Sequence, residues 1–189
     1  MNRYTATWLI ALAITAAVVP YSIAQTGGET FAATAAVSTA GGATATAPVS
    51  IVVSRTMTSE EAARFMEAFS SGGAAALRKA LTGVPPTGSI RVGNGEPTQT
   101  RLTIERVTDK GRLLTMVADR PILHLGAGLP GAKPKEGYDF AVLDLEVDAA
   151  GMGAGVLAPA ARIQVRQGAF VVDDYGAESI RLTGVKKVK

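Results

Sequence analysis

Residues 138–147 read YDFAVLDLEV, and the alternation in this segment decides the fold class. Apolar and acidic side chains alternate along this segment. Because successive side chains of a strand point to opposite sides of a sheet, the segment predicts a strand with one dry face and one acidic face. The dry face holds Ala141, Leu143, Leu145 and Val147, and the acidic face holds Asp144, Glu146 and Asp148.

Several shorter segments on both sides of this strand have the composition or the alternation of strands. Residues 101–107 and 112–117 form the clearest hairpin, because Asp109, Lys110 and Gly111 are typical turn residues. The glycines at 151, 153 and 155 lack the strand-to-helix context of a phosphate-binding loop, so we interpret them as a flexible turn. Further strands are predicted at residues 49–53, 89–92, 122–125, 162–166, 170–172 and 180–182.

Two short helices are predicted ahead of most of these strands. Thr58 and Glu61 have the spacing of a capping box, and apolar residues follow at helical intervals up to Phe69. Residues 71–73 (SGG) break this helix, and residues 74–81 form the second. Helices followed by short strands predict an α+β fold, with a mainly antiparallel sheet of about six to eight short strands.

The N-terminus has the layout of a secretory signal peptide. Arg3 precedes the apolar run of residues 8–19, and small residues at Ser22 and Ala24 suit a signal peptidase, so residues 1–24 are expected to be removed after Ala24. A membrane anchor is the alternative. However, a dozen helical residues rise only about 18 Å against a hydrocarbon core of roughly 30 Å. No transmembrane span is therefore expected after cleavage.

Residues 25–48 consist mostly of Thr, Ala, Gly and Ser, with Glu29 as their only charge. Such a segment offers little apolar surface to offset the entropy lost on ordering, which predicts a disordered, flexible tether. A weak strand or helix and a glycosylated stretch are the alternatives. The predicted organisation is a signal peptide at 1–24, a tether at 25–48 and a single α+β domain at 49–189.

Composition excludes several classes of protein. The chain has no cysteine, so neither disulfide bonds nor a lipid anchor on cysteine can form. Removing Arg3 with the signal leaves eighteen basic against sixteen acidic residues, a net charge of +2. This charge is far smaller than the clustered positive charge that nucleic-acid binding needs, and the excess lies mostly in the lysine-rich C-terminus, residues 185–189, which we interpret as a solvated end. The only tryptophan, Trp8, leaves with the signal, so aromatic stacking platforms are scarce.

Two sets of residues are candidates for a chemical site. Asp144, Glu146 and Asp148 could collect a hard cation such as Ca²⁺. The alternative, which we favour, is cross-strand ion pairing with Arg162 and Arg166, so no metal is expected.

His124, the only histidine, lies near Asp119 and could act with it as a general base. The sequence marks no nucleophile beside this pair, since it has neither a cysteine nor a Gly-x-Ser-x-Gly motif. We therefore favour structural roles for His124 and Asp119, and expect no cofactor.

Five phrases spread over the chain from about residue 49 resemble a group of uncharacterised exported bacterial proteins. The group has no assigned activity, so the resemblance implies export and a shared fold without functional residues. It also favours a structural corner at residues 119–121. The phrases are residues 88–92 (GSIRV), 119–122 (DRPI), 138–140 (YDF), 160–163 (AARI) and 181–185 (RLTGV).

Together these patterns favour a periplasmic or extracellular, non-enzymatic domain that binds a partner protein or another envelope component. The alternative is an envelope hydrolase or metal-dependent enzyme that uses His124 with Asp119, or the acidic strand residues Asp144, Glu146 and Asp148.

Overall fold

The computed structural model describes residues 28–38, 44–123 and 135–188. These residues form ten strands and one helix. The elements are β1 (Glu29–Ser38), β2 (Thr44–Val53), α1 (Ser59–Thr82), β3 (Gly88–Val92), β4 (Thr98–Thr100), β5 (Leu102–Thr108), β6 (Gly111–Ala118), β7 (Phe140–Val147), β8 (Met152–Arg166), β9 (Ala169–Tyr175) and β10 (Ile180–Lys187).

All ten strands belong to one antiparallel sheet that curls into a nearly closed barrel. The strand order is β4-β3-β2-β1-β10-β8-β7-β6-β5, and β9 pairs with the second half of β8. The strands at the two ends of this order, β4 and β5, are separated along the chain only by Arg101. The Arg101 N–H donates to the carbonyl of Val117 on β6, at 3.0 Å, which helps to join the ends.

The antiparallel, β-rich character expected from the sequence is confirmed, but the number of strands is wrong. Ten strands are present among the described residues instead of six to eight. The additional strand segments include β1 and residues 44–48 of β2, in the Thr- and Ala-rich N-terminal part, and β4, which has only three residues. Such segments carry too little apolar periodicity to be recognised without their partners.

The sheet separates two apolar cores. One fills the barrel interior and includes Phe31, Ile51, Leu143 and Leu157. The other lies on the outer face, where α1 and the β8–β9 hairpin cover residues such as Phe140 of β7. Successive residues of β7 therefore pack in different cores. The outer core takes up part of the outward-facing side of β7, and acidic side chains occupy only the remainder of that side.

The helical region is one kinked helix, α1, and the prediction of two separate helices is wrong. The break falls at the predicted place, because Gly72 and Gly73 have non-helical backbone angles. The predicted capping box is confirmed: the Glu61 N–H donates to Thr58 Oγ1 at 3.2 Å, and the Thr58 N–H donates to Glu61 Oε2 at 2.9 Å. No described helix combines the length and apolar character needed to cross a membrane.

The prediction of a disordered tether at residues 25–48 is wrong for the part that the structure describes. Strands β1 and β2 occupy residues 29–38 and 44–53. The two strands pair in a continuous register from Glu29 opposite Val53 to Ser38 opposite Thr44, and β1 also pairs with β10. Pairing on both sides of β1 and burial of its Phe31 supply the stabilisation that its composition alone does not suggest. Residues 29–38 and 44–48, which were predicted to belong to the tether, are therefore part of the sheet. The predicted signal peptide and its cleavage site after Ala24 lie outside the described residues.

The glycine-rich segment near residue 151 is also corrected. The β7–β8 turn spans residues 148–151, and β8 continues through Gly153 and Gly155. A Cβ atom on Gly153 would lie 1.9 Å from the backbone oxygen of Glu146 on β7. Glycine is therefore required in this strand by the close approach of the neighbouring backbone.

Gly153→Ala is expected to lower the free energy of unfolding by about 1–3 kcal/mol, because the added methyl group forces β7 and β8 apart. Chemical denaturation measures this change. The matched control is Gly83→Ala: Gly83 has a φ of −86° and no atom within 4 Å of an added Cβ. That control should raise stability by about 0.4–1 kcal/mol. Equal effects of the two substitutions would contradict the close approach.

Candidate functional site

The acidic residues of the best predicted strand do not converge on one point. Asp144 accepts a hydrogen bond from Thr115 Oγ1 at 2.6 Å, and burial raises the pKa of its carboxyl group. Glu146 contacts Thr108, whereas Asp148 accepts the backbone N–H groups of Ala150 and Met152 in the β7–β8 turn. In the part of the chain that the structure describes, no group of three His, Cys, Asp or Glu residues could hold a metal ion.

The expected ion pairs between this acidic row and Arg162 or Arg166 are wrong. The partner of β7 is the first half of β8, so that Asp144 lies opposite Val156 and Glu146 opposite Ala154. Arg162 lies further along β8 and pairs instead with Asp173 on β9, at 2.9 Å. The register differs from the prediction because β8 begins at residue 152, ten residues before the predicted strand.

Asp119 has a structural partner at the end of β6. Its Oδ2 lies 2.9 Å from Arg101 Nε, and Arg101 also donates to the carbonyl of Val84. This pair links the bend between β4 and β5 to the end of β6. His124, the other half of the predicted general base, lies outside the described residues.

A cavity of about 460 Å³ lies at one end of the barrel, and Asp148 is the one candidate site residue from the sequence that lines it. We call it the mouth cavity. Directly opposed residues of an antiparallel pair lie on the same face of the sheet. Arg112 is opposite Val147, and Lys187 is opposite Phe31, so both cations continue the inward-facing rows of the interior. The cavity is lined by Glu29, Glu105, Val107, Gly111, Arg112, Asp148, Ala149, Ala150, Gly151 and Lys187.

The floor of the mouth cavity is a network of charged side chains around Glu29. The Glu29 side chain is only 7% exposed, and its two oxygens accept hydrogen bonds from Arg112 Nη2 at 2.9 and 2.7 Å. Lys187 Nζ donates to the same carboxylate at 2.6 Å. Arg112 Nη1 also lies 3.4 Å from Glu105 Oε2. The network thus joins β1, β5, β6 and β10 across the end of the barrel.

Opposing effects determine the pKa of Glu29. Burial acts to raise it, but the hydrogen bonds from Lys187 and Arg112, together with their positive charges, outweigh burial and hold the pKa below its usual value. Glu29 is therefore ionised at neutral pH, and both neighbouring cations are engaged by it.

Sequence reasoning missed this site for identifiable reasons. Glu29 stood out as the only charge of the predicted tether, but nothing in the sequence indicated a partner for it. Lys187 belongs to a lysine-rich terminus that resembles an ordinary solvated end. Arg112 is predicted only as the first residue of a hairpin strand, residues 112–117. The three residues are 75 or more positions apart along the chain, and only the barrel brings them together.

Comparison with protein-family models, with curated proteins and with solved structures finds no match for this chain. The function is therefore argued from the chemistry of the site alone.

Proposed function

We propose that this protein is an exported, non-enzymatic binding domain whose mouth cavity takes a small organic cation with an apolar body. The observation that carries the proposal is the cavity itself. Its volume of about 460 Å³ lies in the range of small-molecule sites, and barrel mouths are a common place for such sites. Val107, which is 71% exposed, together with Ala149 and Ala150, offers an apolar wall that an aliphatic ligand would cover.

The distribution of charge favours a cationic head group on the ligand. Three carboxylates (Glu29, Glu105 and Asp148) and two cations (Arg112 and Lys187) line the cavity, a net charge of −1. An incoming anion would have to compete with Glu29 for both cations. Among the described residues, Glu105 has only the 3.4 Å contact with Arg112, and Arg112 is also bonded to Glu29. An ammonium group could therefore pair with Glu105 while the bonds of Glu29 stay intact.

Export is part of the same proposal and rests on the signal-like N-terminus. Cleavage after Ala24 would leave Glu29 and the whole of β1 in the mature chain, so the mature protein would keep the charged network. A periplasmic or extracellular location would give the cavity access to small molecules of the cell envelope.

The test uses the chain recovered from outside the inner membrane, whose first residue should be Gln25. Three probes share a six-carbon body and differ in the head group: hexylammonium, 1-hexanol and hexanoate. Amide NMR shifts of Val107, Ala149 and Ala150 report the binding of each. Hexylammonium should bind at least about tenfold more tightly than hexanoate, since hydrogen bonds to charged groups contribute roughly 1.5–3 kcal/mol.

Glu105→Gln should remove this preference, weakening hexylammonium about tenfold while changing 1-hexanol less than about twofold. Glu60→Gln is the matched control, because Glu60 is an exposed carboxylate on α1, which does not line the cavity. The proposal fails if none of the probes shifts these amides saturably, if hexanoate binds best, or if both variants weaken hexylammonium equally. If the recovered protein still carries residues 1–24, the proposal that it is exported with cleavage after Ala24 is wrong.

A further inference from the structure

A second concavity, with a volume of about 640 Å³, lies on the outer face of the sheet. We call it the outer groove. One wall is Arg106 of β5, and the other is the tip of the β8–β9 hairpin. Ile104 of β5 and Val172 of β9 pack in the same outer core, which holds the two walls beside each other. The groove is lined by Arg106, Arg166, Gln167, Ala169, Val171 and Val172.

The two arginines of the outer groove are available to a ligand. Neither Arg106 nor Arg166 forms a salt bridge with any residue that the structure describes. Asp144 is close enough to feel the charge of Arg106, but its carboxylate is bonded to Thr115. Guanidinium groups bind carboxylates and phosphates through paired hydrogen bonds, and an oxyanion between the walls could engage both arginines.

The hairpin turn beside Arg166 carries an unfavourable residue. Gln167 has a φ of +48° and Gly168 has a φ of +70°, so both lie in the left-handed region, as the two central residues of a type I′ turn do. Gln167 is the one non-glycine residue with positive φ among the described residues. Asn, Asp or Gly would suit this position better, because a Cβ atom is disfavoured in the left-handed region. Non-glycine residues held in this region cluster at functional sites.

We infer that the outer groove is a second binding site, for an oxyanion carried on an aliphatic body. Arg106 and Arg166 pair with the carboxylate or phosphate, Val171 and Val172 contact the aliphatic part, and the amide side chain of Gln167 adds a hydrogen bond. This site is separate from the mouth cavity and has the opposite charge preference.

Hexyl phosphate is the probe, titrated into the mature protein while the amide NMR signals of Arg166, Gln167 and Gly168 are followed. A saturable shift of these signals is expected, with 1-hexanol causing none. Arg106→Gln and Arg166→Gln should each weaken binding at least about tenfold. Arg91→Gln is the matched control, because Arg91 is exposed on β3 and does not line the groove. It should change affinity less than about twofold.

Gln167→Gly separates binding from folding. This variant should raise the melting temperature, since glycine is unstrained in the turn, and at the same time weaken hexyl phosphate at least about threefold, as expected for the loss of one hydrogen bond. Unchanged affinity would overturn the role of Gln167.

The absence of a saturable shift, or an equal loss in Arg91→Gln and Arg106→Gln, would overturn the site itself. Phosphatidylglycerol vesicles distinguish the two sources of the oxyanion. If they displace hexyl phosphate, the group belongs to a lipid head group, and if they do not, it belongs to a free molecule. Neither result depends on the mouth cavity, which hexylammonium tests separately.

Discussion

Phe31→Ala is expected to lower the free energy of unfolding by about 3–5 kcal/mol, the usual cost of truncating a fully buried phenylalanine. Phe31 lies on β1 with no exposed surface and packs in the barrel interior. Its strand pairs with β2 on one side and β10 on the other, so the cavity left by the truncation has little freedom to collapse. Chemical denaturation followed by circular dichroism measures the loss.

The matched control is Thr34→Ala, three residues further along the same strand. Thr34 is exposed, so this change should alter stability by no more than about 0.5 kcal/mol. The contrast between the two variants separates a strand from a tether. A flexible tether, as the composition of residues 25–48 predicts, would tolerate both substitutions equally, and a near-zero effect of Phe31→Ala would show that β1 contributes nothing to the fold.

Arg112→Met is expected to cost about 3–5 kcal/mol, because it leaves the Glu29 carboxylate buried without its main partner. Arg112 supplies two of the three hydrogen bonds to that carboxylate. Lys187→Met should cost less, since Lys187 is 40% exposed and supplies only one of them. The double variant Glu29→Met/Arg112→Met should recover much of the loss, because it also removes the buried carboxylate that Arg112→Met leaves with Lys187 as its one remaining partner in this network. Additive losses would contradict a coupled pair.

The pH dependence of stability gives an independent measurement on the same network. The pKa of Glu29 is lower in the folded protein than its usual value of 4.5. The unfolded chain therefore binds a proton more readily, and the stabilisation from Glu29 is fully present above about pH 4.5 and is lost as the pH falls towards the folded pKa. Glu29→Gln should flatten the stability profile in this acidic window. A profile that stays as steep as that of the unsubstituted protein would show that other carboxylates control the acid transition.

Much of the secondary structure after residue 49 could be predicted, because the deciding signals are local. The alternation in residues 138–147 corresponds to β7, and the hairpin predicted around Asp109 and Lys110 corresponds to β5 and β6. The capping box at Thr58 and the break at Gly72 and Gly73 could also be predicted from the sequence. Each of these features depends on residues that lie close together along the chain, so the sequence carries the necessary information.

The candidate sites could not be predicted, because none of them is local. The mouth cavity joins Glu29, Arg112 and Lys187 from three strands, and the outer groove joins Arg106 to the tip of a hairpin 60 residues away. Of the residues that the sequence did single out, Asp119 holds Arg101 at a bend, whereas Asp148 accepts backbone hydrogen bonds in a turn and also lines the mouth cavity. An isolated charge in a sequence gives no indication of its partner, since that partner depends on strand order and register.

By itself, the sequence determined that the chain is β-rich and, since it has no cysteine, free of disulfide bonds. It also determined where α1 begins and kinks, since local propensity and capping specify these features. Only the tertiary structure decided that residues 29–38 and 44–48 belong to strands and that residues 140–147 form a strand of a nearly closed barrel. The physical reason is that small side chains such as those of β1 bury too little surface to order a chain alone, whereas pairing on both sides and a shared interior supply the remaining free energy.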